Sequence, residues 1–206
     1  MTISAQHVRA ALNHLRGLHP AWRRILKSVG PFTVRIERRP AWWLTQHLHC
    51  RSFWDFAALR RDAVGSMDSS DRDLWLASDG HWSERQRNFW TDLQTAQEKA
   101  DLELKVPASL PELENARGRL SELLERYQST IFDRFCFYCW GELDSWPTSD
   151  PQLLELIEKS SLATSSEATN AFAATVGSWA PYRSVAAWYL ERWGESQRSE
   201  PCIKFE

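Results

Sequence analysis

The stretch Trp179-Ala-Pro-Tyr-Arg-Ser-Val-Ala-Ala-Trp-Tyr-Leu190 decides how the chain is read, and it reads as a helix over 181–193. Upstream lie a helix at 167–177, a Ser/Thr-rich connection at 160–166, and a helix to about Lys159 with Pro151 at its first position. Gly141–Asp150 is a loop, preceded by helices at 129–140 and 112–126 with a turn near Tyr127 between them. Pro107–Pro111 reads as a linker, and helices fall at 71–78 and 83–100, the latter capped by Ser83. Gly65–Asp71 is a loop after a helix at 51–64. Arg38-Arg39-Pro40 opens a helix through Trp43, Leu44 and Leu48. At the start, Ser4 caps a helix carrying Val8, Ala11, Leu12, Leu15 and Leu18. Pro20 opens the next, with Trp22, Ile25, Leu26 and Val29 inward, and Gly30-Pro31 ends it. Phe32, Val34 and Ile36 alternate with polar residues, as in a very short strand or an extended link. The last dozen residues read as a polar tail. About ten short helices with almost no sheet make an all-α protein.

Composition narrows the classes. With 206 residues, 43% hydrophobic and 25% charged, the chain is globular and long enough for a real core. No apolar run approaches the roughly 20 residues of a membrane helix, and Ser4-Ala-Gln-His-Val-Arg has no apolar signal core, so an intracellular, cytoplasmic location is expected. Four cysteines are too few for a disulfide framework. Cys136 and Cys139 have the CxxC spacing without a second pair or a nearby His, which fits small core residues on a buried helix. His47 and His49, at i, i+2, do not share a helix face and are expected to meet solvent or backbone, not a metal. No cofactor or metal is expected, and a monomer is. Twelve tryptophans imply either a heavy core or an aromatic surface.

The net charge of −2 hides a division. Residues 1–61 carry eleven Lys/Arg against Glu37 and Asp55, a formal +9, and residues 62–206 carry a formal −11. Either a polyanion partner or pairing with the acidic half accounts for this.

Three stretches, in order, resemble the helix-hairpin-helix (HhH-GPD) DNA glycosylase superfamily, in the branch of 3-methyladenine DNA glycosylase II. The first is Ala11-Leu-Asn-His-Leu-Arg-Gly-Leu-His-Pro20 followed by Ile25-Leu-Lys-Ser-Val-Gly-Pro-Phe32. The second is Leu143-Asp-Ser-Trp-Pro-Thr-Ser-Asp150, similar to the segment presenting the family's aspartate, and the third is the Trp179–Leu190 stretch. The resemblance spans nearly the whole chain. It implies two helical subdomains around an interdomain cleft, into which a damaged nucleotide is extruded. On that reading 1–206 is one module, with a central subdomain at 40–150 carrying a hairpin-like segment at 124–132, and 1–39 plus 151–206 packed as the second subdomain.

The same resemblance assigns roles. Asp150 falls on the catalytic aspartate; Ser149-Asp150-Pro151 also reads as an ordinary N-cap before Pro at N1. The hairpin falls on Leu124-Glu-Arg-Tyr-Gln-Ser-Thr-Ile-Phe132, where Arg126 and Gln128 replace both glycines, so the hairpin is degenerate and Arg126 is left to hold phosphate by its side chain. Thr130 stands at the hairpin Trp, where bifunctional members carry a nucleophilic Lys, so no lyase activity is expected. The wedge segment falls on Arg51-Ser52-Phe53-Trp54; Phe53 and Trp54 are intercalation candidates or core aromatics. Tyr127 and Glu191 are further pocket candidates, Glu191 with a solvated helix position as its alternative. Arg38, Arg39, Arg51, Ser52, Arg126 and Gln128 are the expected DNA contacts, within a basic run that also holds Arg23, Arg24, Lys27, Arg35, Arg60 and Arg61. Trp42, Trp43 and Trp54 gather beside that run. The expected activity is monofunctional excision of a damaged, for instance alkylated, base from double-stranded DNA. The alternative is a non-catalytic DNA-binding or protein-interaction descendant of the same scaffold.

Overall fold

The computed structural model describes residues 3–34, 36, 40–48, 83–98, 104, 110–127, 131–145, 151–162 and 168–198. The elements among them are helical: α1 Ala5–Leu18, α2 Pro20–Val29, α3 Pro40–His47, α4 Glu84–Glu98, α5 Leu110–Arg126 and α6 Phe132–Phe135, which runs on as a π-helical turn Cys136–Trp140. They continue with α7 Pro151–Lys159, α8 Ala168–Ser178 and α9 Arg183–Arg198. The protein is all-α, and no strand occurs among the described residues. Residues 31–34 are an extended link rather than a strand. No described helix is long and apolar enough to cross a membrane.

The chain divides into two compact units, Met1–Ile36 with Cys136–Glu206, and Glu37–Phe135. The break after Phe135 precedes the expected boundary at 150, because residues 136–145 bond and pack within the terminal unit.

In the terminal unit, the Ser4 hydroxyl accepts from His7 N at 3.2 Å and starts α1. His19 alone joins α1 to α2: it is extended, its Nδ1 accepts from Ala21 N at 3.2 Å, and Pro20 takes the first helical position, where no N–H is needed. Ala21, Trp22, Ile25 and Leu26 are buried. Gly30, at φ +82°, closes α2 with its N–H on Leu26 O. The core element is α9, where every residue from Ser184 to Glu191 is buried, so two turns are covered on all faces. At Gly194 an added Cβ would stand 2.7 Å from Leu156 Cδ2, so α7 and α9 approach closely there. The helix runs on to Arg198, past the expected end at Trp193 and into the expected tail. An Arg192–Glu195 ion pair and the Ser196 hydroxyl on Trp193 O hold this last turn.

In the central unit, Ser83 and Gln86 form a reciprocal capping box at the start of α4. Gln86 also donates to Thr45 O at 3.1 Å, tying α4 to α3. Trp43, Leu44, Leu48, Phe89, Leu93, Leu120, Leu124, Ile131 and Phe135 are among its buried apolar residues. Helix α5 starts at Leu110, so the linker expected to Pro111 ends sooner; Pro111 lies in the first turn, where a missing N–H costs no helix bond. Cys136 and Cys139 are buried, as expected of core thiols.

Candidate functional site

The three stretches that carry the resemblance meet inside the terminal unit. The Arg183 guanidinium clamps Asp144, Nε to Oδ1 and Nη2 to Oδ2, both at 2.8 Å, and Arg183 N donates to Oδ1 at 3.3 Å. Next to this clamp, Ser184 N donates to Leu143 O at 2.9 Å, and the Ser184 hydroxyl accepts from Ser145 N at 2.8 Å while donating to Ser145 O. Thus the second stretch is bound to the first turn of α9 across 39 residues of sequence.

Burial pushes the Asp144 carboxyl upward, but the hydrogen bonds and charge of Arg183 outweigh this and hold it below the ordinary carboxylate range. Both of its oxygens accept bonds from Arg183, so Asp144 is held ionised and fixed in orientation.

The opening stretch joins the same helix. His14 Nε2 donates to Ser178 O at 3.0 Å, and its ring lies edge-on to Tyr182 at 5.6 Å. Trp22 meets Trp179 edge-on at 5.2 Å. The Tyr189 hydroxyl donates to Gly30 O at 3.2 Å, and Phe32 packs against Trp188 at 4.8 Å. Ala180–Pro181 is a cis peptide. Glu191 is 4% exposed, so it is not the solvated helix residue that was its alternative.

Asp150, Arg38, Arg39, Arg51, Ser52, Phe53, Trp54, Gln128 and Thr130 lie outside the described residues, as does His49. Of the candidate site residues in the hairpin-like segment, Arg126 and Tyr127 are described, and both engage Asp92 on α4. The phenol donates to Oδ2 at 2.9 Å, and the exposed guanidinium lies 3.6 Å from the same oxygen. Tyr127 also sits edge-on to Phe89 at 5.1 Å. Burial, then the bond to the Asp92 carboxylate, raise the Tyr127 phenol above its ordinary value.

His47 stacks on Trp43 at 4.4 Å and donates from Nδ1 to Trp43 O at 2.8 Å, the expected backbone contact. Burial, and the charge of Arg134, lower its pKa to about 4 against the raising effect of that hydrogen bond. Trp43 is buried and packs near Phe135, so it belongs to the core of its unit rather than to an exposed aromatic cluster. No group of three potential metal ligands occurs among the described residues.

The sequence reading singled out neither Asp144 nor Asp92. Asp144 lies in a quoted stretch, six residues before Asp150, and the arginine of the closing stretch was the signal for its partner. Asp92 sits on a helix face with no periodic or motif signal.

No protein-family model matches the chain, and no curated protein matches it.

Proposed function

We propose that this chain is a divergent, monofunctional DNA glycosylase of the helix-hairpin-helix type. It hydrolyses the N-glycosidic bond of a damaged base in double-stranded DNA, in base-excision repair. The observation that supports this reading is the convergence just described: three stretches, far apart in sequence, are joined by the Asp144–Arg183 clamp, the Ser145–Ser184 exchange and the Gly30–Tyr189 bond. Side-chain bonds at the motif positions themselves are what a shared scaffold requires. Five residues after Ser145 the chain reaches Asp150, directly before Pro151 opens α7. A carboxylate there stabilises positive charge developing on the sugar as the bond breaks, or activates water. On this reading Arg38, Arg39, Arg51, Ser52, Arg126 and Gln128 are the candidate duplex contacts, Phe53 and Trp54 the wedge candidates, and Tyr127, Thr130 and Glu191 the candidates for recognising the base.

A second reading is favoured by one observation. Arg126 and Tyr127, the described candidate site residues of the hairpin-like segment, are both engaged by Asp92 of the same unit. That suits a non-catalytic descendant whose hairpin no longer grips phosphate. Incubating the wild-type chain with alkylated duplex separates the two. The glycosylase reading expects free base and an intact, abasic strand; absence of released base from alkylated, deaminated and oxidised substrates leaves the descendant.

A further inference from the structure

Residues 1–36 contain no Asp or Glu; the first acid is Glu37. On α1 and α2 the same stretch places Arg9, Arg16, Arg23, Arg24 and Lys27, all exposed. None of these five makes an ion pair among the described residues, in a chain whose remaining residues carry an excess of acids. The register of α2 sorts the chemistry. Ala21, Trp22, Ile25 and Leu26 turn inward, and Arg23, Arg24 and Lys27, at i, i+1 and i+4, share the outer face with Pro20 and Ser28.

We infer that the outer face of α2, extended by Arg9 and Arg16 on α1, is a sequence-independent binding surface for the phosphate backbone of double-stranded DNA. It is additional to the contacts assigned to the glycosylase reading and does not require a flipped base. The partner follows from what the face lacks as well as from what it carries. A helix that lies on a membrane needs bulky apolar residues on its exposed side, and those of α2 are buried. A protein interface gathers aromatic or aliphatic anchors at its centre, and the outer face of α2 has none. Phosphate oxygens need only donors and the absence of competing carboxylates. Arg9 and Arg16 also rim a groove of about 410 Å³ lined by Val8, Leu12, Phe32 and Val34, which suits an acidic peptide equally. The decisive test is therefore placed on α2.

Binding of a short undamaged duplex is measured by fluorescence anisotropy between 50 and 200 mM salt, for the wild type and for Arg23→Gln/Arg24→Gln/Lys27→Gln. Each phosphate contact contributes about 0.9 to the slope of log K against log salt, so the triple variant should lose roughly 2.7 from its slope. Across this fourfold salt range the wild type then weakens about 40-fold more than the variant. Should the triple variant fail to fold by circular dichroism, Arg9→Gln/Arg16→Gln should lose roughly 1.8 instead. Equal slopes, no duplex binding by the wild type, or tighter binding to phosphatidylserine vesicles or to a poly-Glu peptide overturns the inference. Because the probe holds no damaged base, an absence of base release with the expected slope change removes only the glycosylase reading. Normal base release with unchanged slopes removes only this surface.

Discussion

Two residues make opposite use of burial. The Ser184 hydroxyl serves both the N–H and the carbonyl of buried Ser145, so truncating it removes two buried hydrogen bonds at once. Each such bond contributes about 1 kcal/mol. Ser184→Ala should therefore lower unfolding stability by about 2 kcal/mol in urea titrations; a change within error would mean that this exchange does not hold the two stretches together. His47 is kept neutral instead. Its folded pKa, about 4, lies below the ordinary 6.5, so the unfolded chain takes up the proton first as the pH falls. Its contribution to stability is constant above 6.5, declines as the pH drops towards 4, and levels off below that. An NMR titration of the His47 ring should show a midpoint near 4; a midpoint near 6.5 would contradict the packing described for Trp43 and Arg134. Sequence reading anticipated solvent or a backbone contact for His47 but not its stacking on Trp43, although i, i+4 side chains are neighbours on a helix face.

At the level of elements, four helix starts were legible and one helix interior was not. Ser4, Pro20, Ser83 and Pro151 each mark a start, because capping chemistry is local to the chain. Helix α9 ran five residues past its expected end. Its eight consecutive buried residues show no single apolar stripe, so periodicity gave neither its full length nor its central place. The end of α7 departs from the usual residue choice. Ser161 N–H reaches Glu158 O and Leu162 N–H reaches Ile157 O, a Schellman turn in which Ser161 adopts φ +60°. A side chain costs about 1–2 kcal/mol in that left-handed region, and Ser161 is exposed. Ser161→Gly should therefore stabilise the protein by about 0.5–1 kcal/mol, seen as a higher Tm. A lower Tm would show that the Ser161 side chain contributes more than its backbone geometry costs.

For the whole molecule, the charge division first visible in the sequence takes on a place. The acid-free opening segment forms α1 and α2, whose inner faces help build the terminal unit and whose outer faces carry exposed cations. The tryptophans sort the other way. Trp22, Trp179 and Trp188 are buried in the terminal unit, as is Trp140, while Trp43 is buried in the central one. A heavy core thus accounts for the described tryptophans better than an aromatic surface does, with Trp90 and Trp193 half-buried. The glycosylase reading rests on motif stretches that share one unit, and its chemistry rests on one carboxylate. The measurement that meets it most directly is single-turnover release of free base from a methylated duplex by the wild type and by Asp150→Asn, with duplex affinity measured in parallel. The account predicts release by the wild type, a loss of at least about 100-fold in Asp150→Asn, and unchanged affinity. Release at the wild-type rate in Asp150→Asn would contradict it.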